Sequence, residues 1–190
     1  MFFRGVYDYL SNFYNSPMEV EIDGKTYMFQ CVEAAFQAHK CPECASEFVP
    51  MYGAQAKKHG RQVPLRSDWN DIKLDVMKKC CEIKFQNTTL ANQLYYETDF
   101  IAEDNTWHDT YWGRCNGIGE NHLGKILMKI KNEHFQKMFG LTMDPQLFNV
   151  LYIYQFDADT YRRTLENVYH GDLAKFINEE ASKLDYPDIL

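Results

Sequence analysis

The chain lacks any apolar run long enough to cross a bilayer, which takes about 20 consecutive apolar residues. Its opening segment, Met-Phe-Phe-Arg-Gly-Val-Tyr-Asp, lacks the layout of a secretory signal. Together these exclude a membrane-spanning reading and make a cytoplasmic location the expectation. There is no internal repeat and no low-complexity tract, so solenoids and biased linkers are excluded. Positive charge is short: 20 Lys and Arg stand against 27 Asp and Glu, a net charge of -7. A chain so charged does not hold nucleic acid by non-specific electrostatics. Of the six cysteines, only Cys41-Pro-Glu-Cys44 has the spacing of half a zinc site. A second half is missing, because Cys80 and Cys81 are adjacent within a helical stretch. Reduced thiols, no metal and no cofactor are expected.

What the chain has is aromatic surface and a core-forming composition. At 190 residues with 45% hydrophobic content, it suits one domain or one domain plus an appendage. Two of the three tryptophans fall within Trp107-His-Asp-Thr-Tyr-Trp-Gly-Arg114. Indole faces stack on flat bases, a carboxylate such as Asp109 handles a proton or a sugar hydroxyl, and glycine permits close backbone approach. The composition is that of a nucleotide site; the competing reading is a pair of core tryptophans. Lys57, Lys58, His59, Arg61 and Arg66 form a local basic cluster, read either as a phosphate holder or as a solvated loop. The negative charge is concentrated at 139–190, which holds nine acids and four basic residues.

The element pattern is mixed. Met18-Glu-Val-Glu-Ile22 and Lys25-Thr-Tyr-Met-Phe29, joined by Asp23-Gly24, read as a tight hairpin. A helix follows over 31–41, ended by Pro42. Residues 45–66 read as short helix and loop. Asp68 is a candidate cap for a helix to about Phe85, with Ile72, Val76, Cys80 and Ile83 inward. Thr88 or Thr89 opens another helix to about Tyr96, and Phe100-Ile101 reads as a short extended piece. Asn121 opens a helix to Phe135 with Leu123, Ile126, Leu127 and Ile130 facing inward. Beyond Gly140, residues 150–156 are β-prone and 160–184 helical.

Within the 31–41 helix, Glu33, Gln37 and Lys40 lie within about 60° of one another. Taken alone, that line is as well read as a surface charge ladder. As chemistry, Glu33 is an acid or base, and Lys40 is an amine nucleophile if its pKa is depressed.

These residues fall in an ordered set of motifs. The set runs Leu10-Ser-Asn-Phe-Tyr14, Asp23-Gly-Lys-Thr-Tyr27, Val32-Glu-Ala-Ala-Phe-Gln-Ala38 and Ala56-Lys-Lys-His-Gly-Arg61. It continues through Arg66-Ser-Asp-Trp69, Lys84-Phe-Gln-Asn87, Tyr111-Trp-Gly113 and Gly119-Glu-Asn-His-Leu-Gly124. The chain so resembles the NADAR, or YbiA-like, family from about Phe2 to Met138. It departs from the family's pattern at Ala34, where His is usual, at Gln30-Cys31 before the motif Glu, and at Arg114-Cys115-Asn116 after Trp-Gly. These departures bear on substrate choice.

The resemblance implies an α+β domain over 1–138, mostly helical around a small β-sheet; residues 139–190 lie outside it and read as an acidic extension. It implies an N-glycosidase hydrolysing a ribosylated substrate, either ADP-ribosyl-guanine in nucleic acid or a phosphoribosylated riboflavin-pathway intermediate. The family's functional Glu falls on Glu33 and its motif lysine on Lys40. Its acid and Trp before Gly fall on Asp109 and Trp112, and the Trp of Asp-Trp on Trp69. For ADP-ribosyl-guanine, the resemblance suggests that Lys40 attacks the anomeric carbon of an opened ribose to form a Schiff base. Asn12, Phe13, Gln37, Lys57, Gly60, Arg61, Trp69, Trp112, Gly113 and Asn121 are the candidate substrate-binding residues beside catalytic Glu33, Lys40 and Asp109. The partner is then a ribosylated nucleotide or ADP-ribosylated nucleic acid. The competing function is a non-catalytic module binding ADP-ribose or a related nucleotide, which needs the aromatic and basic residues but not Lys40. A third is recruitment of a partner by the extension. Alternation of Tyr152, Tyr154 and Phe156, and a helical stripe of Leu165, Val168 and Tyr169, give an ordered extension packed on the domain or on a second copy.

Overall fold

A computed structural model describes residues 1–97 and 101–139, with side chains described to 134. The β-prone 150–156 and helical 160–184 readings lie outside the described residues. The fold is α+β, with helices dominating two small sheets. The chain divides into two compact units, Met1–Tyr96 with Ile101–Lys131, and Glu97–Phe100 with Asn132–Leu190. The candidate site lies in the first. No helix among the described residues is long and apolar enough to cross a membrane.

After a 3-10 helix, Gly5–Leu10, strands β1 (Met18–Ile22) and β2 (Lys25–Phe29) pair antiparallel. Asp23 and Gly24 both take positive φ, 48° and 73°, the backbone that matches a two-residue turn to strand twist. Met18, Val20 and Ile22 are buried while Glu19 and Glu21 face out.

Helix α1 (Val32–Ala38) is buried at every position. It is shorter than the 31–41 reading, because Cys31 is its extended N-cap and a turn at His39-Lys40 precedes Pro42. Its start is fixed by tertiary contact: Glu33 N–H donates to the Asn12 carbonyl at 2.9 Å. A second 3-10 helix, Pro42–Phe48, and α2 (Gly53–His59) then pack against α1. Here the expectation of reduced thiols is corrected at one pair: Cys41 and Cys44 are joined as a disulfide. The 3-10 turn after Pro42 sets their Cα atoms 5.2 Å apart, within bridging range. Cys31, Cys80, Cys81 and Cys115 are free and buried.

Helix α3 (Trp69–Lys84) also packs on α1. Asp68 precedes it without a side-chain cap bond, its carboxylate being taken by Arg66. Val76 and Cys80 are buried as read, but the buried stripe is centred on Met77, Cys81 and Lys84, leaving Ile72 and Ile83 half-buried. Helix α4 (Thr88–Tyr96) is opened by Asn87, whose Oδ1 accepts from Thr89 N and Leu90 N, rather than by a threonine. The extended piece expected at Ile101 falls later, as β3 (Asp104–Asn105), paired parallel with β4 (Arg114–Cys115). Helix α5 (His122–Phe139) follows, with Leu123, Leu127 and Ile130 buried and Ile126 half-buried.

Candidate active site

Helix α1 forms the floor of a cavity of about 850 Å³. Because α1 is wholly buried, its polar residues need partners inside the protein or a ligand. Glu33 is 5% exposed, and its Oε1 accepts a 2.8 Å bond from Gln37 Nε2, one turn on. Burial pushes the Glu33 pKa up, and Asp109 adds to the rise. The Gln37 bond and the charges of Lys57 and Lys40 pull it back down. Gln37 Oε1 is buried without a protein partner, and it lies against Gly60. A Cβ at Gly60 would overlap that amide, so glycine is what lets Gln37 face Glu33.

Lys40 sits just past the end of α1, half-buried, with its ammonium 5.7 Å from the Trp69 ring centre. Burial lowers its pKa; Glu33 opposes this, and Lys57 and Arg61 reinforce it. The direction is the one an amine nucleophile requires. Trp69 and Trp112 both touch Phe36, at ring distances of 5.0 and 5.5 Å, and Tyr111 meets Trp112 at 5.0 Å. They make one continuous aromatic wall. Phe13 and Trp107 are 42% and 47% exposed and line the same cavity, leaving ring faces open for a flat ligand.

The fourth side comes from the segment around β3 and the turn before β4. Asp109 Oδ1 accepts from Tyr111 N and Trp112 N, at 3.1 and 2.9 Å, so this acid staples the aromatic turn. Asn105 clasps the Asp109 backbone from both sides, donating to its carbonyl and accepting from its N–H. Glu103 also lines the cavity, and burial, with Asp109 and Glu33 alongside, raises its pKa to about 7 against the pull of Lys57.

The NADAR domain matches residues 1–134. The chain belongs to the NADAR family. It is 33% identical over 135 residues to N-glycosidase YbiA of Escherichia coli (strain K12), covering 67% of this chain and 81% of that protein. It is 33% identical over 132 residues to riboflavin biosynthesis protein VVA0006 of Vibrio vulnificus (strain YJ016), covering 66% of this chain but 35% of that relative. An NMR structure of E. coli YbiA matches with a TM-score of 0.61 and 28% identity, over 76% of this chain and 90% of that one.

In this NADAR domain, ten residues singled out from the sequence line one cavity: Asn12, Phe13, Glu33, Gln37, Lys40, Lys57, Arg61, Trp69, Asp109 and Trp112. Three others do not line it. Gly60 supports Gln37 from behind. Gly113 lets the chain pass the Glu103 backbone, where a Cβ would come within 3.1 Å of Glu103 Cβ. Asn121 is buried and spent on backbone, donating to the Ile101 carbonyl and accepting from Glu103 N. It holds the Glu103 backbone in place from outside the cavity. Asn12 keeps spare capacity, since its amide meets only the sulfur atoms of Met77 and Cys81, both weak partners.

Residues missed in the sequence include Glu103, Lys73 and Lys84. Lys73 follows Trp69 by one helical turn and lies 4.4 Å from the Tyr111 ring centre. Lys84 is 2% exposed and donates to the Ser11 carbonyl at 2.8 Å, tying down the loop that carries Asn12 and Phe13. Burial lowers its pKa to about 8. Its place in the Lys84-Phe-Gln-Asn87 motif is the one sequence signal that it differs from a surface lysine. Among the described residues, no group of three or more His, Cys, Asp or Glu is arranged to hold a metal ion.

Proposed function

We propose that this chain is an N-glycosidase that hydrolyses the bond between ribose C1 and a base nitrogen. Its substrate is a ribosylated, phosphorylated compound: ADP-ribosyl-guanine in nucleic acid, or a phosphoribosylated intermediate of the riboflavin pathway. The observation carrying this reading is the pairing, in one cavity, of buried Glu33 with half-buried Lys40, whose pKa is driven down. A nucleotide-binding module has no need of an amine made reactive beside a buried carboxylate. The names of the relatives, an N-glycosidase and a riboflavin biosynthesis protein, point the same way.

In this reading the aromatic wall holds the flat base. Lys57 and Arg61 hold phosphate by charge-assisted hydrogen bonds. Asp109 keeps Oδ2 for a ribose hydroxyl while Oδ1 holds its turn. Breaking the C1–N bond leaves positive character on C1, which the Glu33 carboxylate stabilises. Neutral Lys40 attacks C1 on the ADP-ribosyl-guanine route, and water releases the sugar from the resulting Schiff base.

The test incubates purified protein with an oligonucleotide carrying ADP-ribosylated guanine and, separately, with phosphoribosylaminopyrimidines. Release of free base or unmodified DNA, lost by about a hundredfold or more in Glu33→Gln, is expected. Tight binding of either compound with no turnover would leave a binding module instead.

A further inference from the structure

We infer that Glu103 is the general acid of this site, the group that protonates the base nitrogen as it leaves C1. The inference rests on the N-glycosidase reading and assigns a role that Glu33, Lys40 and Asp109 leave open. Base nitrogens are poor leaving groups unless they take a proton as the bond breaks.

Three carboxyls share the cavity, and their partners divide the work. Asp109 Oδ1 is committed to two backbone N–H groups. Burial raises the pKa of Glu33 as well, but Glu33 accepts a hydrogen bond from Gln37 and has the cations Lys57 and Lys40 beside it, all of which pull toward the carboxylate. Glu103 has less to keep it ionised. Its carboxyl takes no hydrogen bond among the described residues and faces Asp109 and Glu33, with Lys57 the opposing charge. Its backbone is nonetheless held firmly: Asn121 Oδ1 accepts its N–H at 3.2 Å, and Arg114 N donates to its carbonyl at 2.7 Å. A side chain on a fixed backbone, desolvated beside like charges, keeps its proton to higher pH than an ordinary carboxyl and, lining the cavity, has it to give there.

The C1–N electron pair leaves with the base nitrogen, which takes the Glu103 proton. The nucleophile that captures C1, water or the Lys40 amine, gives a proton to the Glu33 carboxylate. Where Lys40 has attacked, water then replaces it at C1. Proton return from Glu33 to Glu103 resets the site, and the net change is addition of one water across C1–N.

The experiment has three readouts on the full chain. In protein carrying 13C-labelled glutamate, one carboxyl signal should titrate near pH 7 and vanish in Glu103→Gln. Titration of Glu103 in the ordinary carboxylate range overturns the assignment whether or not a substrate is known. With the ribosylated base cleaved in the test above, wild-type kcat/KM should fall as pH rises through about 7, because the protonated form is the active one. Glu103→Gln should lose about a hundredfold and that alkaline limb together. With 4-nitrophenyl ribofuranoside 5-phosphate, whose phenolate leaves without protonation, the same variant should lose less than about tenfold. An equal loss on both leaving groups, or an unchanged pH limb, overturns the assignment; a wild type that cleaves neither compound overturns the N-glycosidase reading instead.

Discussion

Replacing Glu103 by glutamine should stabilise the protein at alkaline pH and leave it unchanged near pH 4.5. In the fold the carboxyl's pKa stands at about 7 against an ordinary value of 4.5, chiefly through burial. At about 1.4 kcal/mol per unit, ionising Glu103 inside the fold costs roughly 3 kcal/mol. The group is half-buried, so solvent screening trims this to about 2–3 kcal/mol. The sign follows from linkage. Between pH 4.5 and 7 the native state keeps a proton that the unfolded state has lost, so wild-type stability falls as pH rises through this window and levels off above it. Glu103→Gln removes the titration, and its advantage over wild type should grow from near zero at pH 4.5 to about 2–3 kcal/mol at pH 8. For a chain of this size that is a melting-temperature gain of roughly 5–10 °C. Urea unfolding of both proteins at half-unit pH steps measures it. A stability difference that stays flat across the window would show that Glu103 is solvated and would refute the electrostatic description of the cavity.

Gly60→Ala should cost about 1–3 kcal/mol and most of the activity, because φ at Gly60 is an ordinary -64° and only the clash with Gln37 is introduced. Denaturant unfolding and turnover of Gly60→Ala, with and without Gln37→Ala, separate that contact from a general defect; the double variant should recover the stability lost in the single one. Lys40→Ala should abolish turnover of ADP-ribosyl-guanine, and borohydride added during wild-type turnover should leave a sugar adduct mapped by mass spectrometry to Lys40. Lys57→Ala and Arg61→Ala should raise KM more for phosphorylated than for dephosphorylated substrate, an effect that shrinks in high salt. We propose that the 139–190 extension is ordered, packed on the domain or on a second copy of the chain, so truncation after Met138 should lower the melting temperature or change the mass in solution while leaving the chemistry recognisable. Unchanged values, with protease sensitivity of the extension in the full chain, would refute that.

Local signals were legible where local physics decides. The Asp23-Gly24 turn needs two positive φ values and has the residues that supply them, so the hairpin was readable to the residue. Helix α4 was found, but its cap was placed one or two residues late: Asn87, Thr88 and Thr89 are all capping types, and only geometry shows which side chain reaches the free N–H groups. The α3 stripe was read too narrowly, since Lys84 lies on the buried face and no hydrophobic pattern includes a lysine. The Cys41–Cys44 bridge was read against because compartment was weighed and the Pro42 turn was not.

At the site, Glu33 and Gln37 were legible because helical spacing makes neighbours of residues four apart, and the structure bonds them at 2.8 Å. What spacing left open was whether that line met water or the interior. The complete burial of α1 decides it: a surface ladder would stay solvated, whereas here Glu33 has one amide and a ring of charges for company. Glu103 was illegible for the converse reason. It lies 70 positions from Glu33 in the chain, in a loop whose sequence, Ala102-Glu-Asp-Asn105, reads as ordinary polar surface. Its depth in the cavity depends on Asn121 and Gly113, neither of which touches the ligand space. Those two residues were read as substrate contacts because they sit in motifs. Their contribution is to carry an acid into the site from behind, so loss of either should shift the alkaline pH limb before it changes substrate affinity.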